Sequence, residues 1–281
     1  MAGAFALSAC NPTTLLKQSD AVEEPEISCL TQPGGGCVFD QSPLKVLPEP
    51  VTIPKRAYTF FPTASTLNFV DARGAAWVAP ARTLTDGASI PPIFVSIVGD
   101  PTSPEFINAA AVHDAYCGIG NEKGPRYHRA RWEDVHRMFY DGLIVGGVKP
   151  VTAKVMFAAV WMGGPRWPEP RGTVSTQGPA IGFVQGSARS LEHIPVGERQ
   201  TRMRIAKSYI ERNNPPLPRV IAFLEQQERD MLRNFPLSPP SPKQASEESD
   251  YPDEPYEPYY PYDPYAEGYD PGLGGGSAGY P

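Results

Sequence analysis

The 281-residue chain has no apolar run approaching the about 18 residues that cross a bilayer, so acyl chains are the only membrane attachment its composition supports. It also has no basic excess. The net charge is -6, and nine of the 31 acidic residues lie after position 242 against Lys243 alone, leaving 22 acids and 24 bases in the rest. That near-neutral remainder excludes bulk nucleic-acid binding, which needs a basic footprint. Of the four cysteines only Cys29 and Cys37 lie near each other, which weakens any thiol-based zinc reading. From Pro236 onward aliphatic residues are almost absent, so that segment has nothing with which to offset ordering entropy and is expected to be a disordered tail.

What is present begins at the N-terminus. Leu7-Ser8-Ala9-Cys10 looks like a bacterial lipobox, whose cysteine is acylated and becomes the mature N-terminus. The segment before it is apolar but short and lacks a positive n-region, so either the start lies further upstream or the match is chance. With Cys10 lipidated, the expected location is the bacterial cell envelope, periplasm-facing, with the membrane as partner through the anchor. Cys29 and Cys37 flank the turn-rich Leu30–Gly36 and are expected to close a disulfide in an oxidising compartment. Cys117 is read as a lone buried thiol.

Residues 1–10 thus read as a signal remnant and 11–50 as a polar tether. A core domain follows over 51–167, a helical extension over 168–235 and the Pro-, Tyr- and acid-rich tail over 236–281, whose partner is unknown. In the core domain, Tyr58–Phe61, Leu67–Val70 and Ala75–Ala79 alternate like strands, and Arg73-Gly74 suggests a hairpin turn. Ser103-Pro104-Glu105 carries a capping hydroxyl, a first-turn proline and an acid, and predicts a helix running to Cys117. Further helices are expected at about 130–143, 151–162, 197–212 and 219–234. The fold class is α+β and mostly helical, a β-hairpin on a three-helix core with two C-terminal helices.

The chemistry concentrates at His113-Asp114, which interrupts the apolar run Phe106–Val112. A buried imidazole beside a buried carboxylate must be hydrogen-bonded, paired or metal-bound. On the next helix, Trp132, His136, Phe139, Tyr140 and Leu143 share one face and turn His136 inward, whereas Asp134 sits about 200° away. Either can approach His113: Asp134 as the carboxylate that orients a general base, His136 as a second imidazole sharing a metal. Asp86-Gly87 upstream supplies a further carboxylate or caps a turn. His128 and His193 read as exposed loop residues, Lys149, Lys154 and Arg166 as a solvated helix face, and Trp161 and Trp167 as packing residues.

Thr85-Asp86-Gly87-Ala88-Ser89-Ile90-Pro91, then His113-Asp114, then Phe139 and a helix ending Gly163-Gly164-Pro165 resemble a bacterial and phage domain family of unknown function, number 1353, over residues 55–167. The same elements are distantly similar to the small bacterial phospholipases A2, with Asp86-Gly87-Ala88-Ser89 matching a calcium loop and Ala110-x-x-His113-Asp114 the catalytic helix. That resemblance implies that His113 activates water and that Asp86 and Asp114 hold Ca²⁺, which polarises the ester carbonyl and stabilises the oxyanion. The chain departs from the phospholipase pattern at the dyad aspartate, replaced by His136, and at a tyrosine four residues after the histidine, replaced by Cys117.

Two functions follow. One is a metal-assisted hydrolase of esters or amides, using His113, His136 and Asp134 for catalysis and Asp86 and Asp114 for Ca²⁺ or Zn²⁺. The other is a non-catalytic structural or phage-derived envelope protein in which these residues form a buried polar network.

Overall fold

The structure, a computed structural model, describes residues 26–32, 36–54, 59–87, 90–98, 104–168, 170 and 191–237. The lipobox, the acidic tail, Ala88, Ser89 and Ser103 lie outside the described residues.

Among the described residues, six short strands form two antiparallel sheets, and six α-helices make up most of the remainder. The first sheet has the order β1 (Val38–Phe39), β4 (Leu67–Val70), β5 (Ala76–Ala79). Its β4–β5 hairpin pairs Val70 with Ala76 around a turn in which Gly74 adopts a φ of 73°, open to glycine without strain. Asp71, 1% exposed, builds that turn: its carboxylate accepts from the backbone N–H groups of Arg73 and Ala75 and from Trp77 Nε1. The second sheet has the order β2 (Val51–Thr52), β3 (Thr59–Pro62), β6 (Leu84–Thr85). Strand β3 therefore pairs away from the hairpin.

A 3₁₀ turn at Pro92–Phe94 leads into the single-turn α1 (Val95–Val98). Helices α2 (Ile107–Cys117), α3 (Trp132–Val145) and α4 (Pro150–Gly163) form the core, α3 packing against both of the others. Helix α2 starts at Ile107, later than the Ser103-Pro104-Glu105 signal predicts, with no side-chain cap. Its small residues Ala109, Ala110, Ala111 and Ala115 are buried, and Ala109 lets α3 approach closely: a Cβ on Gly142 of α3 would meet Ala109 Cβ at 3.0 Å. Helix α3 is buried nearly all round, beyond the one face its periodicity indicates. Helices α5 (Val196–Asn213) and α6 (Leu217–Asn234) pack against α4.

Two expectations need correction. From residue 26 the segment expected to be a tether is part of the folded body. Leu44 and Phe39 are in the core, Asn108 of α2 accepts from Leu44 N and donates to the Gln41 carbonyl, and Cys29 N donates to Asp141 Oδ1 at 2.9 Å. Nor do Lys154 and Arg166 belong to a solvated face. Lys154 Nζ donates to Asn214 Oδ1 at 3.0 Å, and the Arg166 guanidinium lies over the Trp132 ring and pairs with Glu228 of α6 at 2.7 Å. Long basic side chains can bury their stems, and here their heads find partners too.

Candidate functional site

His113 and Cys117 stand four residues apart on α2 and so share a face, opposite His136 of α3. His113 Nε2 and His136 Nδ1 are 2.9 Å apart, a hydrogen bond between two imidazoles. Cys117 Sγ lies 3.5 Å from His113 Nε2, 3.7 Å from its Nδ1 and 3.5 Å from the His113 carbonyl. All three side chains are buried: His113 is 3% exposed, Cys117 2% and His136 0%. Phe139 and Trp132 complete the wall, their ring centroids 5.0 Å from His113 and 5.4 Å from His136 respectively.

Burial sets the electrostatics. Desolvation, with further contributions from His113 and Arg166, lowers the His136 pKa well below the ordinary histidine value, so its ring is neutral at pH 7. Desolvation likewise pushes the Cys117 thiol well up, with Asp114 adding to the effect. His136 Nε2 is fully buried and makes no hydrogen bond of standard geometry. It faces the backbone after α4, where the Pro165 carbonyl favours a proton on the ring and a Cβ on Gly164 would lie 3.1 Å from Nε2.

Asp114 Oδ1 is 4.0 Å from His113 Nδ1, on the side of the ring away from His136. The Asp86 loop is tied to the same end of α2 by Asn121, which bonds both backbone groups of Leu84 and donates to the Asp114 carbonyl. Asp86 itself is half-buried, in a turn where Gly87 N donates to Thr85 Oγ1. Asp134 is not brought to His113. It lies in the first turn of α3 and accepts from Arg73 of the hairpin at 2.7 Å, because its helical phase points it at the sheet. The orienting carboxylate of a base dyad is thus engaged elsewhere, and His136 occupies that place.

Among the described residues, the group able to hold a metal ion is His113, Cys117 and His136, whose donor atoms all lie within 4.8 Å of one another; Asp86 and Asp114 are not in it. Cys117 is the residue that sequence reasoning passed over as a lone thiol. Its i, i+4 spacing from His113 was the available signal. Cys29 and Cys37 are joined by a disulfide, and Trp161 and Trp167 are buried. His193 is exposed, and His128, half-buried, is stacked between Tyr127 and Trp167.

No helix among the described residues is long and apolar enough to cross a membrane. No solved structure matches the chain. An uncharacterized protein of Sinorhizobium fredii, y4iH, is 40% identical over 99 residues, covering 35% of this chain and 38% of that protein. A second from the same organism, y4jT, is 38% identical over 107 residues, covering 38% of this chain and 30% of that one. The chain thus spans about a third of the length of the curated relatives it matches. Residues 61–160, from β3 through nearly all of α4, match the family described as Protein of unknown function (DUF1353).

Proposed function

We propose that this is a non-catalytic envelope protein, held to a membrane through a lipid on Cys10, whose α2–α3 polar network fixes the packing of a structural domain. One observation carries the reading. With His136 on Nε2, the nitrogen left to act as general base is His113 Nδ1, in a ring 3% exposed and with the Cys117 sulfur 3.7 Å away. A general base needs its lone pair within hydrogen-bond reach of a substrate proton. Here the whole ring is buried, and the carboxylate that could orient it as a phospholipase-like base, Asp134, is held by Arg73. The Cys29–Cys37 disulfide supports an exported location, since such bonds persist in oxidising compartments.

The test is hydrolysis of short-chain ester, phospholipid and amide probes by the full chain, with and without Ca²⁺. No turnover is expected. Turnover abolished by His113→Gln would overturn the reading and restore the hydrolase. For the anchor, metabolic labelling with a fatty acid should depend on Cys10, and labelling that persists in Cys10→Ser would refute it.

A further inference from the structure

We propose that His113 Nε2, His136 Nδ1 and Cys117 Sγ are the ligands of a buried transition-metal centre of the zinc type, joining α2 to α3. It goes beyond the structural reading of the network, and the test below separates the two.

The donor set is the first argument. Two imidazoles and a thiolate are borderline-to-soft ligands that suit Zn²⁺, whereas Ca²⁺ demands several oxygens, and no oxygen belongs to this cluster. Distance is the second. With Zn–N about 2.0–2.1 Å and Zn–S about 2.3 Å at tetrahedral angles, ligand atoms sit about 3.3 Å apart for a nitrogen pair and about 3.6 Å for nitrogen and sulfur. The sulfur of Cys117 is already 3.5 Å from His113 Nε2, and the two nitrogens, 2.9 Å apart, need open by only about 0.4 Å. The third pair, Cys117 with His136, lies within 4.8 Å and has to close by up to about 1.2 Å.

The surroundings are the third argument, and they are independent of the cluster itself. A metal-bound imidazole carries its proton on the far nitrogen and gives it to an oxygen. For His113 the far nitrogen is Nδ1, with Asp114 Oδ1 4.0 Å away. For His136 it is Nε2, a fully buried atom against the backbone at Gly164, where the Pro165 carbonyl favours a proton on the ring. Charge also balances: a dication with one thiolate keeps one net positive charge, which the Asp114 carboxylate beside His113 offsets.

Binding has a simple proton balance. The proton shared between His113 Nε2 and His136 Nδ1 moves to a far nitrogen, the Cys117 S–H bond breaks as the metal–sulfur bond forms, and one proton leaves to solvent. Asp114 is a positioning residue in this scheme.

The experiment is titration of the metal-free full chain with Zn²⁺ and, separately, Co²⁺, beside Cys10→Ser to exclude that thiol. The inference requires one zinc per chain, undiminished in Cys10→Ser, and a thiolate-to-cobalt charge-transfer band. Cys117→Ala, a volume reduction that the alanine-rich α2 should accommodate, must abolish the band and weaken zinc by more than a hundredfold. Asp114→Asn should weaken it by about ten- to a hundredfold with the band retained. Absence of zinc binding, or a band and affinity unchanged in Cys117→Ala, overturns the inference. Hydrolysis by the zinc-loaded chain would refute the non-catalytic reading while leaving the metal centre standing.

Discussion

His113 Nε2 and His136 Nδ1 meet at 2.9 Å in the interior of the domain, so the histidine that opens the most suggestive dipeptide of the sequence faces another imidazole. Helix phase causes this. His136 lies on the inward stripe of α3, and Asp134, two residues earlier, turns to the hairpin and its Arg73.

The hairpin turn should be among the more sensitive points of the fold. Asp71→Ala removes the acceptor of four donors, Arg73 N and Nη2, Ala75 N and the buried Trp77 Nε1. Leaving buried donors unsatisfied should cost about 2–4 kcal/mol, read as a shift of the urea midpoint with unchanged slope. Asp134→Ala, breaking a partly exposed ion pair, should cost under about 1 kcal/mol. Equal losses for the two would contradict this account of the turn.

Two buried groups give opposite pH dependences. His136 is held neutral by burial, so the unfolded chain takes up its proton first, and stability falls as pH drops below the unfolded value of 6.5. Burial raises the Asp141 pKa from 3.8 to about 6, despite the Cys29 N–H that bonds it. Between those two values the folded state holds more protons than the unfolded, so this group lowers stability as pH rises through the window and by a constant amount above it. That constant is roughly 3 kcal/mol by the cost per pKa unit. Relative to the parent, Asp141→Asn should therefore gain stability at pH 7 over pH 4, less whatever the changed bond to Cys29 N costs. A difference independent of pH would contradict the raised value.

The segment before β1 is folded onto α3, so its crosslink should matter. Cys29 and Cys37 close a loop of eight residues' separation, for which the chain-entropy argument gives about 2–3 kcal/mol. Cys29→Ser with Cys37→Ser should lower the melting temperature in oxidising buffer and make it insensitive to dithiothreitol. A parent protein whose melting is unchanged by reduction would count against this.

Much of this was legible in the sequence because it rests on periodicity. The five long helices lie within a few residues of where apolar spacing and Gly or Pro stops place them, and the inward direction of His136 follows from the same period. The two-residue strands β1, β2 and β6 were not legible, since their partners are distant in the chain and two residues carry no alternation. The packing of residues 26–50 was hidden for a similar reason: Cys29, Phe39 and Leu44 are isolated apolar residues in a polar stretch, and Asp141 and Asn108 anchor them through backbone atoms that leave no trace in composition. At the site, His136 and Cys117, the two departures from the phospholipase pattern, are the residues that close around His113. Each was visible alone, but their convergence needed the geometry of α2 against α3.

The central claim, that His113 and His136 act on each other within the core, is tested most directly by a double-mutant cycle with His113→Phe and His136→Phe. Unfolding would be followed in chelator so that no metal contributes. Phenylalanine preserves ring volume and removes the nitrogens. Each single change strands the partner's nitrogen and should cost about 1–3 kcal/mol, whereas removing both should cost less than the sum, leaving a coupling of about 0.5–3 kcal/mol. Strictly additive losses would mean that the two rings do not interact, and would contradict the account.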